Sequence, residues 1–325
     1  MKRRWLGGML VLAVLVMAGV MLASTAVVRP AELAAPSVSG RLAYASGGNI
    51  WVWHGGASQI TRHAPGSTEY YSAPSLSADG SRVAYVRFDD SFSDILVGPS
   101  SGGSAQALTD YRPPAETGSP AYIQAAIWAL FPDWAPDGTP LAFASDMGFD
   151  APVLWIMTAG GDSPHSLQTS PPNPPIERPR WSPTGDDILA TSLGSGRAEV
   201  WRLDLESSTW SEVAAPADGA YDGTWSPDGV LVAYAARSGR ATDIWLVPAD
   251  RSTPPVQLTH LGRARAPAFS PDGKQLAFLA EKDDQFQVFV ADFSMTNGSA
   301  QLGTPQQLTS AAGGVDASGG LSWSK

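Results

Sequence analysis

Apolar and small residues alternate in short runs along this chain, and a tight polar segment separates the runs. Residues 225–229 read Trp-Ser-Pro-Asp-Gly and lead into 232–234, Val-Ala-Tyr, while residues 269–273 read Phe-Ser-Pro-Asp-Gly and lead into 276–278, Leu-Ala-Phe. Alternation with a period of two predicts β-strands. Ser-Pro-Asp-Gly favours a type I turn closed by a left-handed glycine, so each copy predicts a β-hairpin.

Six copies of this unit occur, each with two further predicted strands. The other copies of the hairpin lie at 76–80, 134–138 and 181–185, and a last one, 321–325, stops before its turn. A third apolar segment follows at 50–52, 95–97, 154–156, 200–202, 244–246 and 288–290, and a fourth at 59–61, 108–109, 257–259 and 307–309. Units of four strands, spaced by about forty to sixty residues, are typical of β-propeller blades.

The two ends of the sequence share one repeat, which indicates how the ring closes. Residues 321–323 lack a continuation, and the missing second strand, 42–44, lies near the other end. The sequence therefore predicts an all-β, six-bladed propeller of four-stranded antiparallel blades, closed when the C-terminal strand joins the N-terminal blade. We expect the blades at residues 320–325 with 40–62, then 73–110, 132–169, 179–214, 223–259 and 267–309, with an insertion at 111–131.

The repeated pattern resembles the repeat of the TolB family. It combines aromatic-Ser-Pro-Asp-Gly, Leu-Ala-Tyr or Leu-Ala-Phe, Ile-Trp-Val and Gln-Leu-Thr, and it extends over residues 40–325. The resemblance implies a six-bladed propeller of an exported protein that acts as a protein-binding scaffold. TolB itself carries an additional N-terminal α/β domain, which we do not expect here because Ser37 leads directly into Gly40. Similar repeats form the propellers of prolyl-oligopeptidase-like enzymes, whose serine hydrolase domain we also do not expect.

The N-terminal residues 1–28 predict an export segment. Basic residues at 2–4 precede an uncharged run at 5–28, which as a helix would be about 36 Å long and would span a hydrocarbon core of about 30 Å. This length and the preceding positive charges favour an uncleaved membrane anchor. The alternative is a cleaved signal peptide, because small residues occur at 24–26. Either one predicts an exported propeller behind a linker at 29–39, anchored outside the cytoplasm or released as a secreted or periplasmic protein.

Composition limits the chemistry of the protein. The chain has no cysteine and a net charge of −10, which argue against disulfides, thiol chemistry and nucleic-acid binding. Residues 193–196, Leu-Gly-Ser-Gly, fit a loop and not the nucleophile elbow of a serine hydrolase. We expect no cofactor and no metal. The alternative is a propeller enzyme, a lyase or a glycoside-acting protein, that uses the channel mouth with a divalent ion bound through His63 or His260.

One face of the ring is expected to carry the function. Links between blades and loops from second to third strands share this face, and loops on a rigid scaffold commonly bind ligands. The insertion at 111–131 lies there and is longer than most structureless loops. Because Trp, Tyr and Arg dominate binding hot spots, the candidates for partner contact are Tyr70, Tyr71, Phe88, Tyr111, Arg112, Tyr122, Trp128, Phe149 and Arg265.

Two features of this face stay open from the sequence alone. Trp128 either anchors a partner or attaches the insertion to the ring. The channel either holds a peptide or a small polar ligand, or is a water-filled pore, and the residues expected to border it are Glu177, Asp222, Arg265 and Asp316. Our hypothesis is an exported, membrane-tethered, monomeric, non-catalytic scaffold that binds a protein or peptide partner at the cell envelope. A purely structural role in an envelope complex is a further alternative.

Overall fold

Six antiparallel sheets, arranged as the blades of a propeller, make up the described chain. The computed structural model describes residues 36–64, 66–167 and 172–325. The predicted export segment at 1–28 lies outside these residues. Within the described ranges, no helix is both long enough and apolar enough to cross a bilayer. The all-β, six-bladed fold predicted from the repeats is confirmed.

Blade 1 is assembled from both ends of the chain, and blades 2 and 3 follow in sequence. From the inner strand outward, blade 1 consists of β25 (Ser322–Ser324), β1 (Arg41–Ser46), β2 (Asn49–Trp53) and β3 (Ala57–Gln59). Blade 2 consists of β4 (Tyr70–Leu76), β5 (Arg82–Phe88), β6 (Ser93–Pro99) and β7 (Gln106–Ala107). Blade 3 consists of β8 (Ala129–Trp134), β9 (Pro140–Ser145), β10 (Val153–Thr158) and β11 (His165–Ser166).

Blades 4 to 6 keep this order, and blade 6 carries an additional hairpin strand. Blade 4 consists of β12 (Ile176–Trp181), β13 (Asp187–Ser192), β14 (Glu199–Asp204) and β15 (Thr209–Ala214). Blade 5 consists of β16 (Ala220–Trp225), β17 (Leu231–Ser238), β18 (Ala241–Pro248) and β19 (Val256–Gln257). Blade 6 consists of β20 (Ala264–Phe269), β21 (Gln275–Lys282), β22 (Gln285–Thr296), β23 (Ser299–Leu302) and β24 (Gln306–Gln307).

The core lies between the blades. Each of six buried apolar clusters joins side chains from two neighbouring blades, including the pair formed by blades 6 and 1. The inner strands contact one another in a ring around a central channel. Since burial of apolar area is the main driving force of folding, the blades stabilise one another and a single blade has no core of its own.

Strand β25 closes the ring as the sequence predicts. Leu42 faces Trp323 and Ala43 faces Ser322 across the antiparallel pair. The Oγ of Ser322 also accepts a hydrogen bond from the backbone N–H of Leu76 in blade 2, at 2.9 Å. The C-terminal strand therefore holds its own blade together and contacts the next one.

Every blade has a residue with a left-handed backbone at the same position, within the inner strand in blades 2 to 6 and two residues before β25 in blade 1. This residue lies three positions before the aromatic or leucine that begins the turn segment, and its φ is between 51° and 72°. In blades 2 to 6 the pairing with the second strand shifts there, which defines a β-bulge. The six residues are Ala73, Phe131, Arg178, Asp222, Ala266 and Gly320.

The insertion contains a short helix, α1 (Pro120–Gln124). Ser119 caps it, because its Oγ accepts a hydrogen bond from the backbone N–H of Tyr122 at 3.1 Å. Pro120 occupies the first turn, where the missing N–H is not needed. The segment was expected to be a loop, and its capped turn of helix is a difference from that expectation.

Candidate functional site

An aromatic row lies at the loop face, between blade 2 and the insertion. Tyr70 begins β4 and Phe88 ends β5, and the two residues pair across the strands. Their rings stack with centroids 4.7 Å apart and planes inclined by 7°. The ring of Trp128 follows, with its centroid 6.3 Å from that of Phe88. We call Tyr70, Phe88 and Trp128 the aromatic row; Tyr70 is 43% exposed, and the other two are half-buried.

The backbone around Trp128 is fixed by side chains of blades 2 and 3. Its N–H donates to Asp146 Oδ1 at 2.8 Å. The next residue, Ala129, exchanges two hydrogen bonds with Ser93 Oγ in β6, at 2.9 and 2.8 Å. Because the end of the insertion is held in this way, Trp128 is positioned beside Phe88 before any partner arrives.

Most other candidates pack into the ring. Tyr122 is only 3% exposed, so the expectation that it contacts a partner is corrected: its side chain packs in the protein interior. Its neighbour Ile123 is 60% exposed. Tyr111 and Phe149 pack against the cluster between blades 2 and 3. Tyr71 is half-buried and lies edge-on to Tyr85, with ring centroids 5.7 Å apart.

Arg112 is the basic residue of the insertion, and it is exposed. Its side chain is 57% exposed, and its Nη2 lies 3.4 Å from Asp89 Oδ2. Its guanidinium carbon lies 5.3 Å from the centroid of the Phe92 ring. An exposed pair of this length contributes little to stability, so Arg112 is free to exchange Asp89 for a partner group.

Ion pairs join neighbouring inner strands along the channel. Asp222 of β16 pairs with two arginines: Arg265 Nε donates a hydrogen bond to Oδ2 at 2.9 Å, and Arg178 Nε forms an ion pair with Oδ1 at 3.2 Å. A second pair joins Arg180 Nη1 to Asp133 Oδ1 at 2.9 Å. Since these residues belong to the inner strands of blades 3 to 6, the side chains connect four blades across the channel wall.

The pKa values of the carboxylates at the channel are shifted in different directions. Burial raises the pKa of Asp222, but the guanidinium groups of Arg178 and Arg265 outweigh it, so this pKa lies below its ordinary value. Burial raises the pKa of Asp133 above its ordinary value, in spite of Arg180. Burial also raises the pKa of Glu177. Of these three carboxylates, Asp222 is the one whose pKa is lowered, so its ionised form is favoured.

The sequence identified part of this bridge. Asp222 and Arg265 were expected at the channel, and the structure brings them together. Asp316, also expected there, accepts a hydrogen bond from Ser72 Oγ at 2.7 Å. Arg178, Arg180 and Asp133 were missed. Their position was a usable signal, because they lie three or one residues before the repeated tryptophan of their inner strands.

His63 and His260 were the residues considered for metal binding, and neither belongs to a group of metal ligands among the described residues. His63 Nδ1 accepts a hydrogen bond from Asn49 Nδ2 at 3.0 Å, and His260 is an exposed residue after β19. Across the residues that the structure describes, no three His, Asp or Glu side chains are grouped as metal ligands.

Fold and site together define a six-bladed propeller that presents an aromatic row on its loop face. The family model of the TolB beta propeller domain matches residues 56–259, more than half of the chain. The chain belongs to the TolB β-propeller family.

Similar solved structures share this fold. TolB from Acinetobacter baumannii superposes with a TM-score of 0.68 at 20% identity, covering 89% of this chain and 68% of that one. An oligogalacturonate lyase in complex with manganese superposes with a TM-score of 0.52 at 13% identity, covering 78% of this chain and 74% of that one. At such low identities, the similarity shows the fold alone.

A curated relative adds a different activity to the comparison. The uncharacterized peptidase YuxL of Bacillus subtilis (strain 168) is 32% identical over 147 residues, which are 43% of this chain. The match covers 20% of that protein, so the chain spans about a fifth of the relative's length.

Proposed function

We propose that this protein is an exported, non-catalytic scaffold that binds a protein or peptide partner at the cell envelope through its loop face. The aromatic row carries the proposal. Three aromatic rings in one row, with Tyr70 43% exposed and the backbone of Trp128 fixed by hydrogen bonds, form the kind of rigid anchor that dominates binding hot spots. Ile123 and Arg112, exposed residues of the insertion that leads to Trp128, add an apolar and a basic side chain for partner contact.

The ion pairs in the channel favour a partner that binds on the surface of the loop face over one that enters the channel. A peptide threaded through the ring would have to displace Arg178, whose Nη2 donates across the channel to the Ser318 backbone oxygen at 2.8 Å and whose Nε pairs with the buried Asp222. Breaking such a pair without replacing it leaves uncompensated charge in a poorly hydrated place. The partner in our proposal therefore lies across the loop face, with the propeller as a monomeric scaffold tethered by residues 1–28.

Substitutions in the aromatic row test the proposal. We expect Tyr70→Ser and Trp128→Ala to abolish capture of the envelope proteins that the immobilised wild-type protein retains, with little change in Tm for Tyr70→Ser because that ring is exposed. The control is Val230→Ala, which removes a 56% exposed side chain from a turn between first and second strands. If both variants still capture these proteins, the aromatic row is not the binding site.

The enzyme alternative draws on the peptidase and the manganese-bound lyase among the similar proteins. It requires a reactive centre, and the residues to test are His63 and His260. Metal analysis of the purified protein discriminates between the two proposals. The scaffold proposal predicts no stoichiometric metal. Bound metal that is lost in both His63→Ala and His260→Ala would favour the enzyme alternative over the scaffold.

A further inference from the structure

A groove of about 720 Å³ opens between blades 4 and 5 and shares no residue with the aromatic row. Its walls come from the end of β15 and the link after it, from β17 and β18, and from the link before β19. Small side chains and prolines leave the space open. They are Ala214, Ala215, Pro216, Ala217, Ala236, Pro254 and Pro255.

The equivalent interface of blade 3 shows what is missing here. Trp155 and Trp245 occupy the same position in the third strands of blades 3 and 5. In blade 3 the indole N–H of Trp155 donates to the backbone oxygen of Ser145 at 3.1 Å, and the Phe149 ring lies against it at 6.1 Å. Trp245 lines the groove together with its cross-strand partner Tyr234, and among the described residues no loop aromatic covers it as Phe149 covers Trp155, and its indole N–H has no acceptor.

The charged residues of the groove leave one guanidinium available. Arg251 is held by Glu212, with Nη1 donating to the Glu212 backbone oxygen at 2.8 Å. Asp218 Oδ2 accepts from the backbone N–H of Gly239 at 2.7 Å. Arg237 also lines the groove and is exposed, and it forms no ion pair within the described ranges. The groove therefore offers an indole donor and a positive charge beside walls rich in proline, which has no N–H of its own.

We propose that this groove binds a short proline-rich segment of a partner protein, in the polyproline II conformation, with an acidic residue that pairs with Arg237. A polyproline II segment makes no internal hydrogen bonds, so its carbonyl oxygens are free to accept the indole N–H of Trp245. Its proline rings fill the space that Phe149 fills in blade 3, and such segments typically dock in grooves lined by aromatic rings. The proline walls offer few N–H groups to an added β-strand, which favours this occupant over an edge strand.

A labelled peptide tests the site in the full-length protein. The probe is a fluorescent decamer of prolines with one central glutamate, and its partner probe has lysine in place of the glutamate; binding is followed by fluorescence anisotropy. We expect saturable binding of the glutamate peptide and weaker binding of the lysine peptide. Trp245→Phe removes the donor but keeps a ring, and should weaken binding about threefold to tenfold, as for one hydrogen bond.

Arg237→Gln provides a second variant that alters only an exposed side chain. It should weaken binding of the glutamate peptide and remove the preference over the lysine peptide. The controls are Trp155→Phe, whose indole is already bonded, Arg240→Gln, which is exposed but outside the groove, and Trp128→Ala in the aromatic row. These should bind as the wild type does. Absence of saturable binding, an unchanged affinity in Trp245→Phe and Arg237→Gln, or equal loss in Trp128→Ala would overturn the proposal.

Discussion

At the scale of single residues, Asp222 shows how local backbone geometry and charge are combined. Its φ of 58° places it in the left-handed region, which Asp tolerates better than most side chains. At this bulge its carboxylate meets Arg178 from the preceding blade and Arg265 from the following one. The backbone N–H of Ala266 donates to the same carboxylate at 3.2 Å. One residue therefore joins three inner strands.

Neutralising this carboxylate should destabilise the ring. Asp222→Asn keeps the size of the side chain but leaves two guanidinium groups without their counter-charge. We expect the free energy of unfolding in urea to fall by about 2–3 kcal/mol, somewhat less than for a fully buried pair because Arg265 retains some exposure. Asp162→Asn is the control and should leave stability unchanged, because the carboxylate of Asp162 is exposed and takes part in no ion pair or hydrogen bond among the described residues. Equal stability of the two variants would contradict a bridging role for Asp222.

The stability difference between wild type and Asp222→Asn should depend on pH. The folded-state pKa of Asp222 lies below the unfolded value, which is about 3.9 for Asp. Its contribution is therefore fully present above that value and is lost as the pH falls through the folded-state pKa. Urea unfolding at pH 3 to 7 should show a constant difference near neutrality that shrinks below about pH 4. A difference that grows on acidification would reverse the assigned sign.

At the scale of elements, the inner strands begin earlier than the alternating sequence pattern predicts. The predicted blades 2 to 6 begin at 73, 132, 179, 223 and 267, whereas their first strands begin three residues earlier, at 70, 129, 176, 220 and 264. The bulge interrupts the alternation, and a proline follows it in four of these blades. Proline usually marks the end of a strand, but an edge strand with a bulge accommodates it. The alternating pattern therefore ends before the strand does.

A reciprocal pair of substitutions tests the conformation of these bulges. Ala266 has φ 52° and Gly320 has φ 72° at the same position of two blades. Ala266→Gly should raise the free energy of unfolding by about 0.5–1 kcal/mol, because relief of a left-handed alanine exceeds the entropy cost of glycine. Gly320→Ala should lower the free energy of unfolding by a similar amount, because alanine is strained at this left-handed φ. A Cβ there would lie 3.5 Å from Arg180 Nη2, which is an ordinary contact, so no clash adds to the strain.

Gly319 provides the matched control for this pair. Its added Cβ would lie 2.8 Å from Ser72 Oγ and 3.1 Å from Ala45 Cβ, so Gly319→Ala should destabilise through a clash and by more than Gly320→Ala. Thermal and urea unfolding measure all three variants. A change of the same sign in Ala266→Gly and Gly320→Ala would show that the bulge conformation does not control their stability.

The site was predictable in its members but not in its contacts. Tyr70, Phe88 and Trp128 could be selected because aromatic residues near loops are candidate anchors, yet their stacking depends on the path of the insertion. The same path buries Tyr122, because Ser119 caps a short helix at that point. The Ser119-Pro120 pair was the available signal for this helix.

At the scale of the whole molecule, repetition made the fold predictable. Six copies of one hairpin, the last divided between the ends of the sequence, require a closed ring, and the pairing of β25 with β1 provides it. The groove between blades 4 and 5 contains a departure from this repetition, because among the described residues the indole N–H of Trp245 lacks the acceptor that Trp51, Trp155 and Trp201 have at the same position. Comparing equivalent positions across blades therefore separates residues that build the ring from residues that remain available.

Removal of the closing strand should open the ring. Deletion of residues 321–325 leaves β1 with an unpaired edge, and we expect loss of cooperative unfolding in urea together with aggregation. A circular permutant provides the control: a five-residue hairpin turn joins Ser324 to Arg41, which pair across the strands, and new ends are placed between the exposed Asn297 and Gly298. The permutant should unfold cooperatively. A deletion variant that melts as the wild type does would contradict closure by β25.

Site-specific photocrosslinking tests the central claim, that partners bind across the loop face at the aromatic row. Benzoylphenylalanine replaces Tyr70 in one variant and Val230, on the opposite face, in another; both positions are exposed. After irradiation of intact envelopes, we predict a discrete crosslinked product at position 70 and none at position 230. A product at position 230 alone, or no product at either position, would contradict the account.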